Sequence, residues 1–314
     1  GSVVFDLHRA AGGCGSRQGR VNLQLAQAVQ AGDRRLEAVA DRPGEALDRV
    51  GERLAKRPSR VAVRRLPEHF RRAVAYAIDR QSIIDIEMNG LGSPQYGPMT
   101  ESEGYFYNPD VPRYEYNPAK ARAILREAGF IDRDGDGVVE DPQGNPVEFT
   151  LVTNAGNTQR EHIAQMIRKD LQEIGFKVHF TFLEFNVLVD KLDVTYDWDA
   201  CILGLTGGIE PHFGRNVWHS SGHLHMWYPR QKRPATPWEA RIDEIFDTAV
   251  QELDRQKRKA LYDEWQRIVA EQLPFIYTVV PTRLVAVRNR FGNLYPTSYG
   301  GVLWNLEELF VKEN

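Results

Sequence analysis

Residues 147–183 read VEFTLVTNAGNTQREHIAQMIRKDLQEIGFKVHFTFL. Apolar and polar residues alternate over 147–153 and again over 176–183, the two-residue period of a half-buried strand. Between them, 157–174 reads as a helix that Gly175 stops. A short helix over 184–192 and a third strand over 197–204 follow. Strand, helix, strand, helix, strand at this short spacing argues for an open α/β sheet.

The text on either side extends this pattern. Pro67 opens a helix at a position where its missing N–H costs nothing. Phe70, Val74, Ala77, Ile78 and Ile84 keep one apolar side to about Asn89, and Gly90-Leu91-Gly92-Ser93-Pro94 then breaks the chain. Residues 94–116 carry loop chemistry. Asn117-Pro118 starts a helix that ends at Gly129. After a long loop, 237–252 and 254–272 read as helices, 274–287 as strand, and 302–311 ends in a short strand.

The chain of 314 residues divides in composition near residue 66. Residues 1–66 carry a net charge of +6 and one aromatic, Phe5. Residues 67–314 carry −9 and 31 aromatics. Aromatic rings supply much of a core's buried area, so the first segment is poorly equipped to fold alone. Helical spacing exists there, over 21–40 and 47–54, but its arginine excess reads as a solvated or non-native segment more readily than as a surface for an acidic partner. The overall charge of −3 gives no reason to expect a nucleic-acid binder. No apolar run approaches the roughly 18 residues of a membrane span. Cys14 and Cys201 make no disulfide framework, and their spacing leaves a single bridge open.

Several stretches together resemble the extracytoplasmic solute-binding proteins of peptide-type ABC transporters. They are FRRAVAYAIDRQSII (70–84) with NGLGSPQYGP (89–98), YEYNPAKARAILREAGFIDRDGDGVVED (114–141), FTLVTN (149–154) through REHIAQMIRKDLQEIGFKV (160–178), and DRQKRKALYDEWQRIVAEQLPFIY (254–277). The resemblance covers about 68–314 and implies a periplasmic-binding-protein-like α/β lobe, a mixed sheet flanked by helices. It implies that 67–272 is the second lobe of a clamp, that 273–314 returns toward the first lobe, and that 1–66 has no counterpart. On this footing the chain resembles a fragment or a degraded member of the family. The implied function is the substrate-binding component of an ABC importer, taking a peptide or similar small solute by hinge closure. The implied partner is a membrane permease and the implied location is the periplasm or cell surface. Ala11-Gly12-Gly13-Cys14 has a trace of a lipoprotein cleavage site without the apolar stretch before it.

In the resembled family the loop after the third strand faces the ligand, and peptide binders often place an acid there to meet a free amine. Here that loop reads Thr206-Gly207-Gly208-Ile209-Glu210-Pro211, with Glu210 its only acid. Trp218 and Trp227 suit stacking on a ligand or packing within the lobe. The expected ligand-facing residues are Tyr96, Asn154, Thr206, Gly207, Glu210, Trp218, His219 and Trp227. No cofactor is implied.

Other chemistries have weaker signals. His212, His219, His223 and His225 crowd one segment, and imidazole clusters bind transition metals. A metal or metal-chelate binder of the same transport family is therefore the alternative. Asp132, Asp134 and Asp136 before Gly137 resemble half of a calcium loop, but Gln143 stands where the bidentate Glu belongs. A metal-dependent hydrolase is the remaining alternative. No G-x-S-x-G or H-E-x-x-H supports it, and the chain reads as no enzyme.

Overall fold

The computed structural model describes residues 2–7, 67–228, 231–297 and 301–312. The helical spacings within 1–66, the boundary at residue 66 and Cys14 lie outside them. Cys201 is buried in a central strand.

The predicted strands are β3 (Glu148–Asn154), β4 (Lys177–Leu183) and β5 (Ala200–Leu205), all mutually parallel with β3 in the middle. β1 (Ser2–Leu7) runs antiparallel beside β5, and β6 (Ile276–Pro281) runs antiparallel beside β1. β2 (Gly92–Pro94) closes the far edge. The order is β2-β6-β1-β5-β3-β4, a mixed sheet of six strands. β1 comes from the aromatic-poor segment, and β6 from the stretch expected to return to another lobe. Both complete the same sheet as β3–β5. β6 ends sooner than the strand read over 274–287. Pro281, which lacks an N–H, faces Gly92, where its partner strand begins.

Helices cover both faces. α1 (Glu68–Ala77), α2 (Arg80–Glu87), α3 (Pro118–Glu127) and α4 (Thr158–Glu173) lie on one. Beyond β4 comes the short α5 (Phe185–Asp190), and α6 (Arg215–Trp218) lies in the long loop after β5. α7 (Pro237–Ala249) and α8 (Arg255–Gln272) cover the second face. The chain ends in a small ribbon of β7 (Phe291–Gly292) with β8 (Phe310–Val311). Strand alternation feeds the two cores. Leu151, Ile202 and Ile276 join the α1–α4 side, while Val152, Cys201 and Tyr277 join the α7–α8 side. Phe70 stacks on Phe176 in the first core. Trp265 meets Phe246 edge to face in the second.

The single helix expected from 67 to about 89 is two. Ile78 is extended, and the Asp79 side chain accepts the Ser82 N–H to cap α2. The break leaves carbonyls without helical partners, and the buried Arg80 takes them up. Its Nη1 donates to Ala75, Ile78 and Tyr114 carbonyls, and its Nε and Nη2 both donate to the Tyr277 carbonyl. One side chain thus ties α1 to β6. α3 begins and ends as its residues dictate. Asn117 caps the Lys120 N–H, and Gly129 takes a φ of 84° just past the last turn.

Candidate functional site

β5 ends at Leu205, and the following loop folds back over the α7–α8 face of the sheet. There it encloses a cavity of about 370 Å³. In open α/β sheets the carboxyl ends of the strands are where ligands gather. Thr206, Gly207, Glu210 and Trp218 all line this cavity. Its floor is aromatic and apolar, with Met99, Val217, Trp265 and Tyr277 beside Trp218. Trp218 is itself largely buried, 5.3 Å from Trp265 and 5.5 Å from Phe275 between ring centroids. It therefore packs the core and walls the cavity at once.

Glu210 is held by its surroundings. Its side chain accepts the His212 N–H and caps the short turn Pro211–Gly214. Arg258 on α8 donates Nη2 to Glu210 Oε1 at 2.7 Å. The loop's one acid is thus met by a cation of the same chain.

A second acid reaches the cavity from elsewhere in the sequence. Thr100-x-x-Glu103 forms a capping box on the turn Glu101–Phe106, with the Glu103 carboxylate accepting the Thr100 N–H at 2.5 Å. Glu103 is 5% exposed and lines the cavity. A Cβ placed on Gly207 would lie 2.1 Å from Glu103 Oε1. The loop glycine thus makes room for the acid. Gln95, just past β2, is another lining residue; its Nε2 donates to the Gly97 carbonyl and its Oε1 is buried without a hydrogen-bond partner among the described residues.

The remaining expected residues lie elsewhere. Tyr96 lines a smaller neighbouring cavity of about 130 Å³, which shares Gln95 and Met99 with the first. Its hydroxyl donates to Glu115, and burial followed by that bond pushes the phenol up to about 12. Asn154 ends β3 and accepts from Arg160, outside both linings. His219 sits between Asp243 and Asp247 on α7, with Nδ1 2.9 Å from Ser221 Oγ. Trp227 donates Nε1 to Glu239 at 3.0 Å and packs on Trp218 and Phe275. Both brace the loop against α7.

The four histidines do not converge. Among the described residues, one group brings three or more His, Cys, Asp or Glu within 4.8 Å of one another, and it contains no histidine. His225 is fully buried and faces the Val217 carbonyl, while His212 packs near Phe246 with its pKa lowered by burial and by Arg215. The one group is Asp132, Asp134, Asp136 and Glu140. Asp132, Asp134 and Asp136 accept backbone N–H groups of their own turn, and Glu140 accepts from Arg133. That is the chemistry of an Asx-rich turn.

Comparison with known proteins follows the same lines. Residues 67–223 match the sequence model of "Bacterial extracellular solute-binding proteins, family 5 Middle". The chain is 32% identical over 223 residues to the oligopeptide-binding protein AppA of Bacillus subtilis, covering 69% of this chain and 39% of that one. It is 31% identical over 225 residues to a probable ABC transporter-binding protein of Deinococcus radiodurans, covering 68% and 38%. The chain thus spans about two-fifths of the length of these relatives. Among solved structures, AppA of Bacillus subtilis in complex with a nonapeptide superposes with a TM-score of 0.66 at 29% identity, over 79% of this chain and 48% of that one. NikZ from Campylobacter jejuni in complex with Ni(L-His) shares the fold at a TM-score of 0.61 and 20% identity. With its mixed sheet, its two helical layers and the match over 67–223, the chain belongs to the bacterial extracellular solute-binding proteins of family 5.

Proposed function

We propose that this chain acts in the substrate-binding component of an ABC importer and holds a peptide or similar small solute. The observation that carries the reading is the cavity at the carboxyl end of β5, walled by Trp218, Trp265 and the glycine-rich loop. An apolar cleft with few polar groups is the usual form of a small-ligand site. The nonapeptide in the structure of AppA supports a peptide as the solute class.

The mechanism is binding without reaction. A ligand enters the open cavity, the surrounding surfaces close on it by a hinge, and exclusion of water strengthens its polar contacts. A membrane permease then receives it, outside the cytoplasm. Among the described residues, no helix is long and apolar enough to cross a membrane, which fits a partner that does so instead. Native mass spectrometry of the purified protein tests the reading. A co-purified mass in the range of a short peptide, released on denaturation, supports it. A bound metal with no organic mass contradicts it.

A further inference from the structure

The larger cavity has an apolar rim as well as an aromatic floor. Phe213 lines it and is 80% exposed, and Leu224 lines it and is 44% exposed. Single exposed apolar residues are ordinary on a protein surface. The placement of Phe213, more than its exposure, therefore decides what the ring is for.

That placement is fixed by the turn that carries it. Pro211 is buried, and the His212 ring lies 6.0 Å from that of Phe246. The Phe213 N–H donates to the Glu210 carbonyl at 3.1 Å. The Glu210 side chain caps the same turn and is held by Arg258. A Cβ on Gly214 would lie 2.9 Å from Trp218 Cδ1, so the turn rests directly on the floor residue. A Cβ on Gly208 would lie 3.2 Å from Phe213 Cδ2, so the loop backbone runs close beside the ring. The turn is anchored on both sides of Phe213, while the ring itself stays in water. An anchored ring loses little further freedom when it is covered, so most of the gain from its burial appears as affinity.

We infer that Phe213 is a specificity-determining residue that selects solutes bearing an aromatic side chain, held between its ring at the rim and the Trp218–Trp265 floor. The occupant is the solute, because Phe213, Trp218 and Trp265 line one and the same cavity. Ring pairs gain affinity beyond the area they bury, which favours an aromatic group over an aliphatic one. The inference rests on the reading that this cavity holds the solute, and it narrows the solute class. Gly208 and Gly214 are positioning residues for the ring and its turn.

Calorimetric titration of the full chain with two matched pairs of probes tests this: Ala-Phe-Ala against tri-alanine, and phenylbutanol against butanol. The wild type is expected to favour the phenyl member of each pair by about tenfold. Phe213→Ala is expected to remove most of that preference and Phe213→Leu part of it, with Tm unchanged because the ring lies in water. Leu253→Ala, at a residue 97% exposed and outside the cavity lining, is the control and is expected to leave the preference intact. Failure of the wild type to bind either phenyl probe, or equal affinity within both pairs, overturns the inference. So does an equal loss in Leu253→Ala. A preference that survives Phe213→Ala also overturns it, and assigns the ring to a protein surface instead of the solute. A phenyl preference within the alcohol pair, with no binding of either tripeptide, supports the inference and overturns the peptide reading alone.

Discussion

Arg258 reaches from α8 to Glu210 and donates Nη2 to its Oε1 at 2.7 Å, so the loop over the cavity is pinned by an ion pair to the helix beneath it. Both side chains are about a quarter exposed, which limits the strength of the pair. Arg258→Met is expected to lower stability by about 1 kcal/mol or less. It should also loosen the loop, seen as faster amide hydrogen exchange over residues 206–214 than over α8. Unchanged exchange in that loop would show that the pair does not hold it.

Glu239 makes stability depend on pH. Burial pushes its carboxyl up, but bonds from His225, Thr236, Trp227 and Gln231 outweigh this and hold it at about 2. The Trp227, Gln231 and Thr236 contacts are hydrogen bonds of 2.9 to 3.2 Å. His225 Nε2 stands 3.7 Å away, an ion-pair rather than a hydrogen-bond distance. A carboxyl lowered on folding contributes stability above its unfolded pKa of 4.5 and loses it as pH falls toward 2. The shift corresponds to about 3 kcal/mol. Urea denaturation of Glu239→Gln is expected to show that loss at pH 7, and a much flatter acid limb between pH 4.5 and 2.

Asp170 has the opposite sign. Burial raises its carboxyl to about 6, against the lowering effect of the Asp79 N–H that it accepts. A carboxyl raised on folding costs stability once ionised. The cost is absent below pH 3.8, grows as pH rises, and is complete above about 6. Asp170→Asn keeps an acceptor for that N–H. After allowing for solvent screening, it is expected to gain about 1–2 kcal/mol at pH 7 and nothing at pH 3.5. A gain equal at both pH values would assign the effect to packing.

Arg80 gives a test of the fold itself. Burial lowers its guanidinium to about 10, and its donors serve four carbonyls on three segments. Arg80→Lys keeps the charge but lacks the planar fork. It is expected to cost about 3 kcal/mol or more, because several buried carbonyls lose their donor. Thermal denaturation would show this as a large fall in Tm. A wild-type Tm would mean that the break at Ile78 is stabilised otherwise.

The architecture was legible where periodicity alone decides. The alternation in 147–153 and 176–183 gives β3 and β4, and the caps at Asn117 and Gly129 bound α3. The break at Ile78 was hidden, because the apolar stripe from Phe70 to Ile84 continues across it. The cue was Asp79 itself, an N-cap residue inside that stripe. The cavity's lining was legible in part. The loop after β5 supplied Thr206, Gly207, Glu210 and Trp218, but the residue types of His219 and Trp227 do not reveal that they brace α7. Glu103 and Gln95 stand more than 100 residues before Gly207, and only the sheet brings β2 and β5 to one cavity. The Thr100-x-x-Glu103 spacing was a visible capping signal in a stretch read as loop.

Calorimetric titration with a series of di- to hexapeptides, run on the wild type and on Thr206→Trp, tests the proposed role most directly. Thr206 is exposed on the cavity wall, so the added ring obstructs the cavity without entering the core. Saturable one-to-one binding by the wild type, weakened about tenfold or more by the substitution, is the predicted result. Equal affinity in the two proteins, or no saturable heat with any peptide, would contradict it.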